Sequence, residues 1–277
     1  MHCANGVADT GEKEWKGPRI ECGVLLHIYG RRIFLNYAII LAAGVGQRMR
    51  NGGLPKQFLK LMGKPIIVYT LEKFEQCDAI DQIVIVCHGG YVDYMQKLLN
   101  QYQIQKVAKI IVGGNERQSS LKKGLETVVD LGAGENDVVA IHDGVRPLVS
   151  DATIRENIRV AKQYGCAITV RPVTESVVIT KTEEAEMKDF KERADTYSMT
   201  APQTFQLGKI MEAYQNMQYL EPSDIPLLDA AMVYAQTGGN VHLVKDQGAN
   251  IKITTPEDFY FLKAILELEE NKYVFGL

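Results

Sequence analysis

The sequence has no excess of basic charge. Lys and Arg total 31 against 34 Asp and Glu, a formal net charge of −3, which gives no electrostatic footing for holding a phosphate backbone and argues against nucleic acid as a partner. The five cysteines, Cys3, Cys22, Cys77, Cys87 and Cys166, include no C-x-x-C pair and no Cys/His cluster at zinc spacing, so a reduced, cytoplasmic protein is expected. No apolar run approaches the roughly 20 residues needed to span a bilayer. The start of the chain also lacks the basic, apolar and small-residue order of a secretory signal. A soluble protein with no membrane partner follows. Internal repeats and low-complexity linkers are missing too. What remains is an ordinary globular mixture, 46% apolar and 23% charged over 277 residues, enough for one large α/β domain or two small ones.

Residues 1–34 look foreign to the rest. Positions 1–21 are polar and glycine-rich without helical or strand periodicity, and 23–34 are only weakly apolar. The segment reads as a disordered extension or a misassigned start. Leu35 can be encoded by TTG, an alternative bacterial initiator, and Gly30-Arg31-Arg32 by a purine-rich ribosome-binding stretch. The expectation is that the functional domain runs over 35–277.

From Tyr37 onward, strand-like runs alternate with helix-like ones. Short β-branched runs (39–42, 82–87, 109–112, 137–141, 166–170) are separated by segments with helical spacing (65–76, 92–102, 119–130, 152–164). Ser119 or a neighbour is the expected N-cap of the third of these. The alternation implies an α/β, Rossmann-like, mostly parallel sheet with helices on both faces. Residues 173–200 break the rhythm. A run at 177–181, a polar turn at 183–186 and a second short run at 187–190 suggest a hairpin, read as a protruding β-arm. Helices at 207–219, 228–237 and 256–271 and a strand at 241–244 complete the chain, with Pro256 at a first helical position that Thr255 can cap.

Four constellations are candidates for chemistry. Leu41-Ala-Ala-Gly-Val-Gly-Gln-Arg48, followed by Pro55-Lys56-Gln57, puts glycines after a strand, where backbone N–H groups can cradle phosphate oxygens. It matches neither the dinucleotide fingerprint nor the P-loop, and the glycines alone fit a plain βα turn. Arg48 and Lys56 tilt the reading, because two cations beyond a phosphate-sized turn suit a triphosphate, whose transfer depends on positioning and charge stabilisation. Gly113-Gly114-Asn-Glu-Arg117-Gln-Ser-Ser120 is either a capped helix start or a pocket in which Gly114 and Ser120 hold a base or ribose. His142-Asp143-Gly-Val-Arg146-Pro147 follows a parallel strand at the end where such sheets bind ligands. Asp143 there suits Mg²⁺ or another divalent cation carried by phosphates, while His142 reads as structural, since a phosphate nucleophile is already ionised at neutral pH. Asn250-Ile-Lys252-Ile-Thr-Thr-Pro256 contains a lysine that pattern alone assigns to the solvent face of a strand. The cysteines are best read as small core residues.

Taken in this order, the motifs resemble the 2-C-methyl-D-erythritol 4-phosphate cytidylyltransferase family and its relatives, the ribitol 5-phosphate cytidylyltransferases. The likeness runs from Tyr37 to Leu268. It implies in-line attack of a polyol phosphate on the α-phosphorus of CTP, with release of pyrophosphate. By resemblance, Arg48, Lys56 and Lys252 stabilise the transition state, and Ala42, Ala43, Gly44, Gly46, Gly114 and Ser120 surround the nucleotide. Asp143 and Arg146 sit near metal and acceptor. Arg193, in the arm, reaches the acceptor of a neighbouring subunit, implying a homodimer with the site at its interface.

Three departures lie on the acceptor side. Glu175-Ser176, Leu228-Asp229 and Ala201-Pro202-Gln203 stand where methylerythritol enzymes carry Asp-Thr, Thr-Asp and Thr-Pro-Gln. A hydroxyl lost at Leu228 removes one hydrogen bond to a polyol, enough to alter acceptor choice. Glu175-Ser176 and the Phe259-Tyr260 pair look like variants linked to surface-polysaccharide synthesis, so ribitol 5-phosphate or a similar alditol phosphate is favoured over methylerythritol phosphate. Two other readings are a non-catalytic nucleotide-binding relative, against which Arg48, Lys56, Asp143 and Lys252 argue, and a sugar-1-phosphate nucleotidyltransferase, which lacks the His-Asp-x-x-Arg-Pro and Asn-Ile-Lys-Ile-Thr set.

Overall fold

The computed structural model describes residues 27–28, 31–32, 34–44, 54–217, 228–246 and 248–275. They fall into two compact units, one ending at Ile33 and one beginning at Phe34. In the first, His27–Ile28 pairs antiparallel with Arg31–Arg32, within a stretch read above as only weakly apolar and part of a disordered extension or misassigned start.

The second unit is built on seven strands: β1 (Asn36–Ala42), β2 (Gln82–Cys87), β3 (Val107–Val112), β4 (Val138–Asp143), β5 (Cys166–Pro172), β6 (Tyr197–Gln206) and β7 (Leu243–Lys245). Their spatial order is β7-β5-β6-β4-β1-β2-β3. All neighbouring pairs are parallel except those made by β6, which runs antiparallel to both β4 and β5. Helices are α1 (Ile66–Gln76), α2 (Val92–Gln101), α3 (Arg117–Asp130), α4 (Asp151–Tyr164), α5 (Leu207–Asn216), α6 (Ala230–Gln236) and α7 (Pro256–Phe275).

Side chains alternate across the pleat, and β1 shows the consequence. Ala38, Ile40 and Ala42 join a core with Val68 and Leu71 of α1, Leu98 of α2 and Ile154 and Ile158 of α4. Tyr37 and Ile39 join the opposite core with Leu121 and Leu125 of α3, Ile210 of α5 and Val233 of α6. Both faces of the sheet are therefore covered, which is why its strands are apolar almost throughout. A third cluster, Leu61, Ile66, Val145, Leu148, Ile253 and Leu262, seats α7 near the end of β4.

Strand β6 is a ten-residue central element that sequence pattern did not predict. It carries Pro202 and the polar residues Ser198, Thr200, Gln203 and Thr204, a composition that argues against a central strand. Its pairing with β5 shifts register between Met199 and Gln203, and this irregularity accommodates the proline. Several polar groups are used internally: Thr169 Oγ1 donates to Pro202 O (2.7 Å), Thr200 Oγ1 donates to Thr169 O (3.3 Å) and Gln203 Oε1 accepts from Ala231 N (3.1 Å), whereas buried Thr204 Oγ1 has no partner.

The arm is a hairpin in which Val177–Val178 pairs antiparallel with Phe190–Lys191. Val178, Ile179, Met187 and Phe190 are exposed on it. Helix α3 starts earlier than the expected 119. Glu116 is its N-cap, and Ser119 is the third helical residue of a reciprocal capping box with it. Residues 250–254 form no strand, so Lys252 sits in an irregular segment instead of on a strand face.

Candidate active site

The carboxyl ends of β1, β2, β3 and β4 open into one cleft of about 660 Å³, the position where parallel sheets bind ligands. Ala42, Ala43 and Gly44 line it after β1, His88 after β2, Gly114 after β3 and Asp143 after β4, together with Lys56, Arg117, Ser120 and Lys252. Residues more than a hundred positions apart are thus brought to one wall. Arg48 and Gly46 lie outside the described residues.

The first turn is fixed by a residue to which sequence reasoning gave no role. Gln57, nearly fully buried, donates from Nε2 to Ala42 O (2.7 Å) and Gly44 O (3.0 Å). The same short 3₁₀ turn, Lys56–Phe58, carries Lys56 into the cleft. One motif therefore supplies both a cation and the clamp that shapes the loop it serves. The second turn is closed by Ser120, whose Oγ accepts from Gly114 N (3.0 Å). A side chain at Gly113 would overlap Ala43, so the two turns approach each other only because that position is glycine.

Asp143 is the electrostatic centre. Its side chain is 7% exposed, and three cations contact it: Arg117 Nη1 on Oδ1 (2.9 Å), and Arg146 Nε and Lys252 Nζ on Oδ2 (3.0 Å each). Burial by itself would raise its pKa, but the charges of Arg117, Lys252 and Arg146 outweigh that and hold the carboxyl well below the usual range. It is an anion at any working pH. A carboxylate offers about four lone-pair sites. Three take these N–H donors, which leaves room for a single metal contact.

Arg146 stands behind Asp143, 11% exposed, and also donates to Asn250 O (3.0 Å). That bond, with Asn250 Nδ2 to Ala201 O (2.6 Å) and Ile253 N to Val145 O (2.9 Å), fixes the segment that delivers Lys252. Downstream, the carboxylate of Asp258 accepts from Thr254 N (2.8 Å), Thr254 Oγ1 (2.7 Å) and Thr255 N (2.8 Å), tying the same segment to the start of α7. The Ala201-Pro202-Gln203 stretch consequently works as a buried support.

His142 is fully buried beside the Phe74 ring (centroids 5.0 Å) and does not line the cleft. Its Nε2 donates to Arg146 O (3.1 Å), and Nδ1 has no partner. Burial pushes its pKa down to about 4, so it is neutral and structural, as the sequence suggested. Cys77, Cys87 and Cys166 are buried thiols whose pKa values burial raises to about 11, 11 and 12, matching their reading as core residues.

Arg117 was present in the quoted glycine motif but given no role. Besides Asp143, its Nη2 holds Asp229 at 2.9 Å. Leu228, beside Asp229, is exposed. Arg193 lies in a short 3₁₀ turn, Arg193–Asp195, exposed and away from the cleft of its own chain. Among the described residues, no group of three or more His, Cys, Asp or Glu side chains could hold a metal ion, and no helix is long and apolar enough to cross a membrane.

The family described as IspD, 2-C-methyl-D-erythritol 4-phosphate cytidylyltransferase, matches residues 36–268. The chain belongs to this family. It is an enzyme, a CTP-dependent cytidylyltransferase. A ribitol-5-phosphate cytidylyltransferase of Vibrio parahaemolyticus is 43% identical over 242 residues, covering 87% of this chain and all of that protein. A 2-C-methyl-D-erythritol 4-phosphate cytidylyltransferase of Alkaliphilus oremlandii is 37% identical over 230 residues, covering 83% and 94%. The fold is shared with a crystal structure of 4-diphosphocytidyl-2C-methyl-D-erythritol synthase from Anaerococcus prevotii, with a TM-score of 0.71, 24% identity and coverage of 84% and 96%.

Proposed function

We propose that the chain transfers CMP from CTP to ribitol 5-phosphate or a closely similar alditol phosphate. The observation that carries this reading is the meeting of Lys56 and Lys252 with the two glycine turns in one cleft. The choice of acceptor rests on Leu228, Glu175 and Ser176 at positions where a methylerythritol enzyme carries Thr, Asp and Thr, and on the greater identity to the Vibrio relative.

An acceptor phosphate oxygen forms the new bond to the α-phosphorus while the bond from that phosphorus to the bridging β-phosphate oxygen breaks, releasing pyrophosphate. The acceptor phosphate is ionised at neutral pH, with a second pKa near 6, so no general base is required, and neutral, buried His142 is not one. Negative charge grows on the α-phosphate oxygens and on the leaving group. Lys56 and Lys252 meet it from separate parts of the chain. An ammonium has three donors. Asp143 takes one from Lys252, which orients it and leaves two for phosphate oxygens. Arg48 is assigned the same task from the first turn. Ala42, Ala43, Gly44, Gly46, Gly114 and Ser120 hold the nucleotide.

Mg²⁺ fits this site only as a companion of the triphosphate. Asp143 has one lone-pair position to give, and the surrounding cations disfavour a dication until phosphate charge is present; the remaining oxygens would come from phosphates and water. Bound there, the ion would neutralise triphosphate charge. Arg193 is assigned to the acceptor phosphate of a second subunit, with the exposed apolar arm as the dimer contact, which places acceptor recognition between two chains in the cytoplasm.

Pyrophosphate release from CTP with ribitol, methylerythritol, glycerol and erythritol phosphates tests the reading. The expected order puts ribitol 5-phosphate first, and UTP in place of CTP is expected to turn over poorly. A higher kcat/KM for methylerythritol phosphate would reverse the acceptor assignment, and equal use of UTP would overturn the nucleotide assignment.

A further inference from the structure

Arg117 is the first residue of α3, on the β3 side of the sheet, yet its guanidinium reaches two carboxylates beyond it. One is Asp143 at the end of β4. The other is Asp229, the N-cap of α6. Helix α6 is itself fixed to β6, because Gln203 Oε1 accepts from Ala231 N (3.1 Å) and Gln203 pairs in register with Ile141 of β4. Across the sheet, the nucleotide turns sit at the ends of β1 and β3, Asp143 at β4, and Asp229 over β6. Arg117, which lines the cleft, therefore links its nucleotide side, through Asp143, to Asp229 over β6, the side left for the second substrate. Burial alone would lower its pKa, but Asp143 and then Asp229 raise it. The cation is permanent, and its planar fork suits two carboxylates at once.

We propose that Arg117 is a positioning residue that holds the start of α6, next to the cleft, in register with Asp143, so that the acceptor site is shaped by the same side chain that borders the nucleotide. Neither carboxylate is used alone. Asp143 is already satisfied by Arg146 and Lys252, whereas among the described ion pairs Asp229 has Arg117 as its partner. Loss of the guanidinium leaves Asp143 ionised and paired but releases the start of α6. The defect falls on the second substrate more than on CTP. This inference rests on the cytidylyltransferase reading but not on which alditol phosphate is preferred.

The test compares wild type, Arg117→Gln, Arg117→Lys, Asp229→Asn and the Arg117→Gln/Asp229→Asn double variant. Each is assayed by pyrophosphate release with whichever acceptor phosphate the wild type uses best, and CTP binding is measured separately by calorimetry. Expected are a tenfold or greater rise in acceptor KM for each single variant, a change of less than about threefold in CTP Kd, and no further effect in the double variant. Arg117→Lys should fail to rescue, since a point charge cannot bridge both carboxylates in fixed geometry. Asp229→Asn keeps the Arg117–Asp143 contact and guards against a variant that does not fold. Normal acceptor KM in Asp229→Asn, equal losses for CTP and acceptor, or additive effects in the double variant would overturn the proposal. A wild type that prefers another acceptor would instead overturn the acceptor assignment and leave this result readable.

Discussion

The nucleotide side of the cleft and the arm are built by opposite rules. On the nucleotide side, the described loop residues follow buried strands and are tied by buried polar side chains: Gln57 to Ala42 and Gly44, Ser120 to Gly114, Asn250 to Ala201. The arm has two-residue strands and exposed apolar side chains, and its hydrogen bonds are local, such as Thr196 Oγ1 to Glu192 O (2.6 Å). The described contacts of the first region are all made within one chain. The second leaves its apolar side chains exposed. The difference teaches that the glycine turns are held in shape within one chain; on the function proposed above, nucleotide binding is preorganised there and acceptor binding is left to assembly.

The sharpest way to test this contrast is to remove its cations. Lys56→Ala and Lys252→Ala should each cost about 3–4 kcal/mol of transition-state stabilisation, roughly a hundred- to a thousandfold in turnover, with CTP binding much less affected. Near-normal turnover in Lys252→Ala would show that its pairing with Asp143 is its whole role.

Acid should attack the nucleotide side from beneath. Below the ordinary histidine pKa near 6.5 the unfolded chain takes up a proton that folded His142 refuses until about 4. Stability is therefore intact above about 6.5 and falls as pH drops towards 4, by about 3 kcal/mol in all. Urea unfolding of wild type and His142→Asn across that window should show a shallower decline in the variant. Equal slopes would contradict the assignment.

On the arm, Arg193→Ala should raise acceptor KM by a factor of roughly ten to a hundred, the worth of one charge-assisted hydrogen bond, while CTP affinity stays put. Sedimentation should give a dimer. A fully active monomer would break the comparison outright.

The smallest effect is expected at Gln57→Leu. Two carbonyls, that of buried Ala42 and that of Gly44, lose their donor, at about 1–2 kcal/mol, with the change appearing in CTP KM and thermal stability and not in acceptor KM. An effect on the acceptor would mean that the two regions are less separate than their construction suggests.

How much of this was legible in the sequence follows the same division. The strand–helix alternation gave the parallel strands and α1–α4 to within a few residues, because strands buried on both faces are apolar throughout and need no context to read. Strand β6 was not legible. Pro202 and its neighbours are held by contacts distant in sequence: Thr169 of β5 donates to Pro202 O and accepts from Thr200 Oγ1, and Ala231 N of α6 donates to Gln203 Oε1. Lys56 stood out as a charge beyond a glycine turn and Asp143 as one at the end of a parallel strand, whereas pattern put Lys252 on the solvent face of a strand and only the family resemblance gave it a role. Gln57 and Arg117 did not stand out, since a neutral amide and one more arginine carry no pattern of their own. A usable signal was available for Gln57: an amide with nothing apolar about it, directly after the lysine in a loop where glycines leave carbonyls in need of donors.

Lys252 reaches its place through a segment without regular structure, and the carboxylate of Asp258 at the start of α7 collects three donors from that segment. The heat tolerance of catalysis is therefore expected to follow this segment and its cap before it follows the sheet. Helix starts open locally at lower free energy than buried strands do, so activity should fade on warming while the core is still folded. Inactivation would then come several degrees below melting.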